Sequence, residues 1–145
     1  MKLIQKEYKI RIMGKVKAKQ SVKFGANGVK YTPSDMVEYA NWVKLCFKKE
    51  YPDHTPNDLE GFYIQVKIYA NFQYPKSFSQ KKIKLAEEDI IKPAVKPDWD
   101  NISKNICDAL NGIAYPDDRQ IAKLIVEKRY NTDSYTTVEI GVLDG

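Results

Sequence analysis

Residues 62–72 alternate without a slip. Ile64, Val66, Ile68, Ala70 and Phe72 fall on one side of an extended chain, and Tyr63, Gln65, Lys67, Tyr69 and Asn71 on the other. Strand side chains point to opposite faces with a period of two, so this segment is a strand with one apolar face to bury. A strand needs neighbours, and three further segments supply them. Residues 7–13 set Tyr8, Ile10 and Ile12 against Lys9 and Arg11. Residues 121–130 and 135–143 read as two more strands, joined by the turn residues Asn131-Thr132-Asp133-Ser134. A short hairpin is expected between Phe24 and Tyr31, with Gly25-Ala26-Asn27-Gly28 as its turn. Thr32-Pro33-Ser34-Asp35 suits a helix start, with Thr32 as cap, Pro33 at the first position and Asp35 near the positive end of the dipole. Met36, Ala40, Val43 and Phe47, with Tyr39 and Cys46 beside them, mark that helix's apolar face as far as Lys49. A second helix is expected from about Asn101 to Asn111, with Ile102, Ile106, Ala109 and Leu110 as its buried stripe and Gly112 as terminator. The polar stretches 14–23 and 73–95 read as loops, the second ordered in part by docking. The expected fold is one α+β (α/β) domain over residues 1–145. It is a small mixed sheet of about four main strands with two helices, in the order β-(ββ)-α-β-α-β-β.

Composition narrows the chemistry. A chain of 145 residues, 43% hydrophobic and 30% charged, suits one soluble globular core. No apolar run reaches the roughly 18 residues of a membrane helix, and the charged N-terminus lacks the apolar core of a secretory signal. A cytoplasmic protein with no membrane partner is expected. Cys46 and Cys107 form no CxxC pair and are expected as free thiols on the apolar sides of their helices. His54 is the only histidine. One His and two scattered Cys do not build a tetrahedral zinc site, and nucleophilic catalysis by Ser-His-Asp or Cys-His needs a placed imidazole. Carboxylates, lysines and a hard metal ion remain.

Charge is uneven. Residues 1–31 hold nine basic groups and one acid, Glu7, a net of +8, whereas the whole chain is only +5. Lys15, Lys17, Lys19 and Lys23 lie in this segment. A second basic tract holds Lys76, Lys81, Lys82 and Lys84 around Phe78. A single charge run is often just a solvated face. Two of them, with the acids gathered elsewhere, point to a polyanion, with nucleic acid as the first candidate.

The acids form two pairs. Asp98 and Asp100 flank Trp99 just before the second helix, and Asp117 and Asp118 follow it. Pro97 biases Lys96 toward extended backbone, and an extended segment through Asp100 would put both carboxylates on one face. The helix carries the chain roughly 16 Å away, and residues 112–118 can reach back over about 23 Å. A symmetric second chain could close the gap instead. Carboxylates that converge repel one another, and a divalent cation relieves that. Oxygen ligands suit Mg²⁺ or Mn²⁺, which can activate water and stabilise charge on a phosphodiester. Lys104, four residues after Asp100, shares its helical face and can orient a carboxylate or meet a phosphate. The plain alternative is equally well formed: Asp98 as a helix cap, Asp117-Asp118 as a turn, and Lys104 as a surface ion pair. An Asp-Xaa-Asp also occurs in haloacid-dehalogenase-type phosphatases and nucleotide-sugar transferases, but no buried apolar strand precedes this one and the chain is short for either.

The string KPDWDNISKNICDALNGIAYPDDRQ, residues 96–120, resembles the signature of RusA-type Holliday junction resolvases. It has Lys-Pro-Asp-Xaa-Asp-Asn, then Lys104, then Asp108-Ala109-Leu110-Asn111-Gly112, then Asp117-Asp118-Xaa-Gln120. YPKSFSQKK at 74–82 and GKVKAKQSVKF at 14–24 are similar to the family's basic segments, and IAKLIVEKRY fits its closing strand. The family's N-terminal loop often carries prolines where this chain has Val16 and Ala18, which bears on loop rigidity. The resemblance implies a homodimeric, Mg²⁺-dependent endodeoxyribonuclease that resolves four-way junctions by paired incisions, of a kind frequent in phages and prophages, with no small-molecule cofactor. By position, Asp98, Asp100 and Asp118 would be the catalytic and metal-binding carboxylates, Lys104 the essential cation, and Asp117 an adjacent acid. Phosphate contacts would come from Lys15, Lys17, Lys19, Lys23, Lys76, Lys81 and Lys82. Phe78, Trp99 and Tyr115 are candidates for stacking on bases or for core packing, with Trp99 expected in the core. A DNA-binding module without catalysis, or a nuclease for flaps and three-way junctions, would carry the same charge pattern.

Overall fold

The computed structural model describes residues 3–17, 23–24, 30–31 and 34–143. Strand β1 (Leu3–Met13) precedes a two-stranded ribbon of β2 (Lys23–Phe24) and β3 (Lys30–Tyr31). Helix α1 (Ser34–Glu50) leads through a 3₁₀ turn at Pro56–Leu59 into β4 (Tyr63–Gln73). Helices α2 (Gln80–Glu87) and α3 (Trp99–Leu110), a 3₁₀ turn at Asp118–Gln120, β5 (Ile121–Asn131) and β6 (Tyr135–Leu143) complete the order. The main sheet runs β1-β6-β4-β5. Only β4 and β5 are parallel, and α2 and α3 lie in the crossover between them. The result is a four-stranded mixed sheet with helices, a single α+β domain, as the sequence pattern implies.

The alternation in β4 decides the core. Ile64, Val66, Ile68 and Ala70 are wholly buried and Phe72 nearly so. Ile10 and Ile12 of β1 and Val138, Ile140 and Val142 of β6 continue the same layer. Val43 and Phe47 of α1 and Ile102, Ile106 and Leu110 of α3 cover it. Each such side chain contributes about 1.5–3 kcal/mol by leaving water. Gly112 follows α3 with φ +76, a left-handed position that a residue without Cβ adopts freely, so the helix stops where expected. Cys46 and Cys107 are free thiols, the first partly buried and the second buried. Among the described residues no helix is long and apolar enough to cross a membrane.

Three expectations change. The polar stretch after β4 contains helix α2, so the described residues hold three α-helices rather than two. Ser79 starts it by accepting from the Lys82 amide at 3.2 Å, a cap hidden among lysines that carry no apolar period. Helix α3 begins at Trp99, not near Asn101, so Asp100 is helical and the extended face shared by Asp98 and Asp100 does not form. The loop after β1 is basic but not wholly excluded from the core. Val16 is 2% exposed, and Asn105 of α3 donates to the Lys17 carbonyl at 2.9 Å. A buried side chain thus anchors the loop where the family often has proline. The turn at Gly25–Gly28, Ala18 and the cap Thr32-Pro33 lie outside the described residues.

One edge of the sheet is partly closed. Strand β1 is outermost, and at Lys9 its backbone meets the Tyr51 hydroxyl, which accepts from the amide at 2.6 Å and donates to the carbonyl at 3.2 Å.

Candidate active site

Asp98 stands at the N-terminus of α3, and the plain cap reading can be tested there. A capping Asp accepts a hydrogen bond from the second or third helical amide. Asp98 makes no such bond. The Asn101 amide donates to Oδ1 of Asp100 instead, at 3.0 Å. Asp98 therefore presents an exposed carboxylate without doing the local work that would explain it. Asp98 and Asp100 open onto one cleft of about 510 Å³, lined also by Val95, Lys96, Trp99 and Lys128. Lys104 Nζ lies 3.9 Å from Oδ2 of Asp100, one helical turn on.

The second acidic pair is held differently. Asp117 caps the 3₁₀ turn, accepting from the Arg119 amide at 2.9 Å and pairing with Arg119 Nε at 3.0 Å. The Arg119 amide, more than the guanidinium beside it, holds the Asp117 carboxyl below the usual carboxylate range. For Asp117 the turn reading stands. Gln120 accepts from the Asp117 amide at 3.3 Å and donates to the carbonyls of Leu59 and Phe62, at 2.8 and 3.0 Å. His54 completes the clamp. Its ring packs against Tyr8 and Phe47, and Nε2 donates to the Ala114 carbonyl at 2.7 Å. The segment before β4 thus grips the loop that carries Asp117 and Asp118.

Asp118 is the crowded acid. Partial burial, then the neighbouring carboxylates of Asp108 and Asp117, push its carboxyl above the usual range. Repulsion among acids therefore exists, but its partner is Asp108 rather than Asp98 or Asp100. The helix explains this. Asp100, Lys104 and Asp108 recur every four residues along one side of α3, and about 12 Å of helix axis separates the first from the last. The two pairs lie toward opposite ends of that stripe. Among the described residues, no group of three or more His, Cys, Asp or Glu side chains is placed to hold a metal ion. Within one chain, Asp98 and Asp100 meet and Asp117 and Asp118 meet, but the four do not gather.

A family profile described as Endodeoxyribonuclease RusA matches residues 10–141. The chain belongs to the RusA endodeoxyribonuclease family. It is also similar to the protein described as Uncharacterized protein YqaN of Bacillus subtilis (strain 168), at 39% identity over 77 residues, 53% of this chain and 54% of that one. The chain thus spans about half the length of the curated relative it matches. The RusA family comprises endonucleases that resolve Holliday junctions in DNA.

The basic residues expected to meet DNA in this RusA chain flank α3. Lys15 and Lys17 are exposed on the loop tied to Asn105. Lys76, Lys81 and Lys82 are exposed before and on α2, which packs against β5. Lys19 and the side chain of Lys23 lie outside the described residues. Trp99 is 62% exposed at the mouth of the cleft, which corrects its expected place in the core. By helical phase it shares a face with Ile102 and Ile106, three and seven residues on, so its exposure follows from its place in the first turn, at the cleft rather than over the sheet. Tyr115 is the buried aromatic, its hydroxyl donating to the Cys107 carbonyl at 2.8 Å. Phe78 packs edge-on against Tyr130, 5.1 Å between ring centroids.

A hard divalent ion fits the cleft's donor set. Mg²⁺ is commonly held by one or two carboxylates, with water and substrate phosphate completing its shell. Asp98, free of cap bonding, and Asp100 provide that number. Three residues of this RusA site went unassigned in the sequence. Asp108 was signalled by its spacing of four from Lys104. Lys128 was signalled by being the one charge in the β5 row Leu124, Val126, Lys128, Tyr130. His54 carried no local signal, because its partner is 60 residues away.

Proposed function

We propose that this protein is a Mg²⁺-dependent, structure-specific endodeoxyribonuclease that resolves four-way DNA junctions as a homodimer, by paired symmetric incisions. The observation that carries this reading is Asp98: a carboxylate at a helix N-terminus that forgoes the cap bond and faces a cleft with Asp100, beside Lys104. Asp98 and Asp100 would hold the ion, which when bound activates water and offsets charge on the phosphodiester. Lys104 sets the orientation of Asp100 and adds positive charge where the cleaved phosphate gains negative charge. Asp118 is proposed as the third catalytic carboxylate, brought to the phosphodiester by assembly on DNA or from the second protomer, with Asp117 fixing its backbone. Lys15, Lys17, Lys19, Lys23, Lys76, Lys81 and Lys82 are proposed to grip phosphates without reading sequence, so binding should weaken steeply with salt. A two-fold dimer matches a junction with two symmetry-related cut sites. Mn²⁺ is proposed to substitute for Mg²⁺, and the cytoplasm to be the place of action.

One observation favours a second reading, a DNA-binding module without catalysis: among the described residues of one chain, the acids form no three-carboxylate group. A Mg²⁺ titration over a labelled four-way junction separates the two. The nuclease reading expects metal-dependent paired nicks that Asp98→Asn abolishes while binding persists. Unchanged junction DNA at every Mg²⁺ and Mn²⁺ concentration, with tight binding, would leave the binding module. Flap, three-way and linear substrates in the same assay set the substrate range.

A further inference from the structure

We propose that Lys128 is a phosphate-binding residue of the cleft, a fixed cation on β5 that receives a backbone phosphate of the strand lying over Asp98 and Asp100. The proposal rests on the reading that this cleft receives DNA.

Lys128 is where a structural residue would be apolar. In the β4–β5 register it stands opposite Ala70, on the face that carries Leu124, Val126 and Tyr130. The helices cover that face in part: Ala70 and Phe72 beside Lys128 are buried, while Leu124 at the far end of the row is exposed. A lysine in such a row is expensive to hold unless its ammonium reaches polar partners. Its stem runs past Phe72, placing Nζ 5.5 Å from that ring's centroid, and Nζ donates to the Val95 carbonyl. The ammonium therefore has a set position at the wall of the 510 Å³ cleft that Asp98 and Asp100 share.

An ammonium has three donors, and the Val95 carbonyl takes one. The acids in the same cleft would repel a phosphodiester, so a cation fixed opposite them gives the strand a reason to enter. Lys104 is placed less firmly for this task, since its side chain is 63% exposed and its charge lies against Asp100. Lys128 is tied to the protein by a neutral carbonyl and keeps its full charge for a ligand. Position and charge together separate it from the exposed lysines of the N-terminal loop and α2, which can follow the DNA without fixing where it is cut.

The alternative is a tie, in which Lys128 matters only because it holds the Val95 carbonyl, and with it the segment leading to Asp98. Three variants divide these roles. Lys128→Met keeps the stem and removes charge and donor, Lys128→Gln keeps a neutral donor, and Lys128→Arg keeps the charge. Four-way junction binding is measured in Ca²⁺, without cutting, over a range of salt, and single-turnover cleavage is measured in Mg²⁺. The phosphate role expects both Lys128→Met and Lys128→Gln to flatten the plot of log K against log salt by about 0.9 per lost contact. It also expects both to slow cleavage, and Lys128→Arg to restore the slope and most of the rate. A slope unchanged in Lys128→Met, or a Lys128→Gln variant equal to the native chain, overturns the proposal in favour of the tie. Melting temperatures confirm that each variant is folded. If the native chain binds but cuts no branched substrate, the nuclease reading fails while the salt slope still decides Lys128.

Discussion

The two acidic pairs of this chain differ in what the fold asks of them. Asp117 is fully employed: it caps a turn, pairs with Arg119 and sits in a loop that His54 and Gln120 clamp to the segment before β4. Asp98 is structurally idle at a position where idleness is unusual, and Asp100 shares its cleft. Sequence cannot separate these cases, since both are Asp beside a helical turn. The lesson is that a carboxylate's function is read best from the local bond it declines to make.

The comparison breaks first at Asp98. Asp98→Asn should lower junction cleavage on the order of a thousandfold, because the lost charge is the one the ion needs. Binding should hold or tighten, since a negative charge beneath the phosphates is removed. Equal loss of binding and cutting would show that Asp98 shapes the DNA surface rather than the chemistry.

A large stability effect is expected on the other side. His54→Ala should lower stability by about 2–4 kcal/mol in urea unfolding, as a buried ring and its bond to Ala114 both disappear. Loss of cutting should follow at temperatures where the loop loosens. A fully stable His54→Ala variant would mean the clamp is not what fixes the Asp117-Asp118 loop.

Alanine at the two helix-start acids sharpens the contrast. Asp117→Ala should lower the melting temperature clearly, whereas Asp98→Ala should change it only by the small dipole contribution of an exposed charge. The pH dependence follows. The Asp117 carboxyl is depressed in the folded state, so its contribution is complete above the unfolded carboxylate value and fades as pH falls through the lower folded one. Thermal melts at descending pH should show the two variants converging. A native-like Asp117→Ala melt, or a strongly lowered Asp98→Ala melt, would reverse the assignment.

The smallest effect on stability belongs to Asp118. Its carboxyl is raised in the folded state by burial and by Asp108 and Asp117, so its ionised form disfavours folding once pH climbs past the unfolded value. Asp118→Asn should therefore stabilise the metal-free chain at neutral pH, by no more than about 0.5 kcal/mol because solvent screens the site, while cleavage is lost. Destabilisation by Asp118→Asn would argue that the crowding with Asp108 is absent in solution.

Period-two patterning was enough to place β1, β4 and β6, because one face of each is buried and a slip would expose all of it, whereas β5 has no fully buried residue and was legible through the turn residues 131–134 at its end. Helix α1 followed from its apolar spacing. Helix α2 did not, because eight residues with three lysines bury little, and a serine cap does not mark a helix by itself. At the proposed site, the spacing of Asp98, Asp100 and Lys104 along one element was legible in the sequence. Asp108 and Lys128 carried weaker signals of the same kind. What spacing could not provide was that Asp118 crowds against Asp108 rather than Asp98 or Asp100, or the 60-residue reach from His54 to Ala114. Trp99 shows the opposite error: a large aromatic in phase with Ile102 and Ile106 invites burial, but its place in the first turn of α3, at the cleft, leaves it exposed.

The hydroxyl of Tyr51 on the backbone of Lys9 bears on how copies of this protein can meet. An outermost strand eleven residues long is an open template for another chain to add to. A phenol seated on both the amide and the carbonyl of Lys9 interrupts that template near its middle. Any two-fold pairing of subunits is thereby steered away from continuous sheet extension through β1, toward contacts made by side chains.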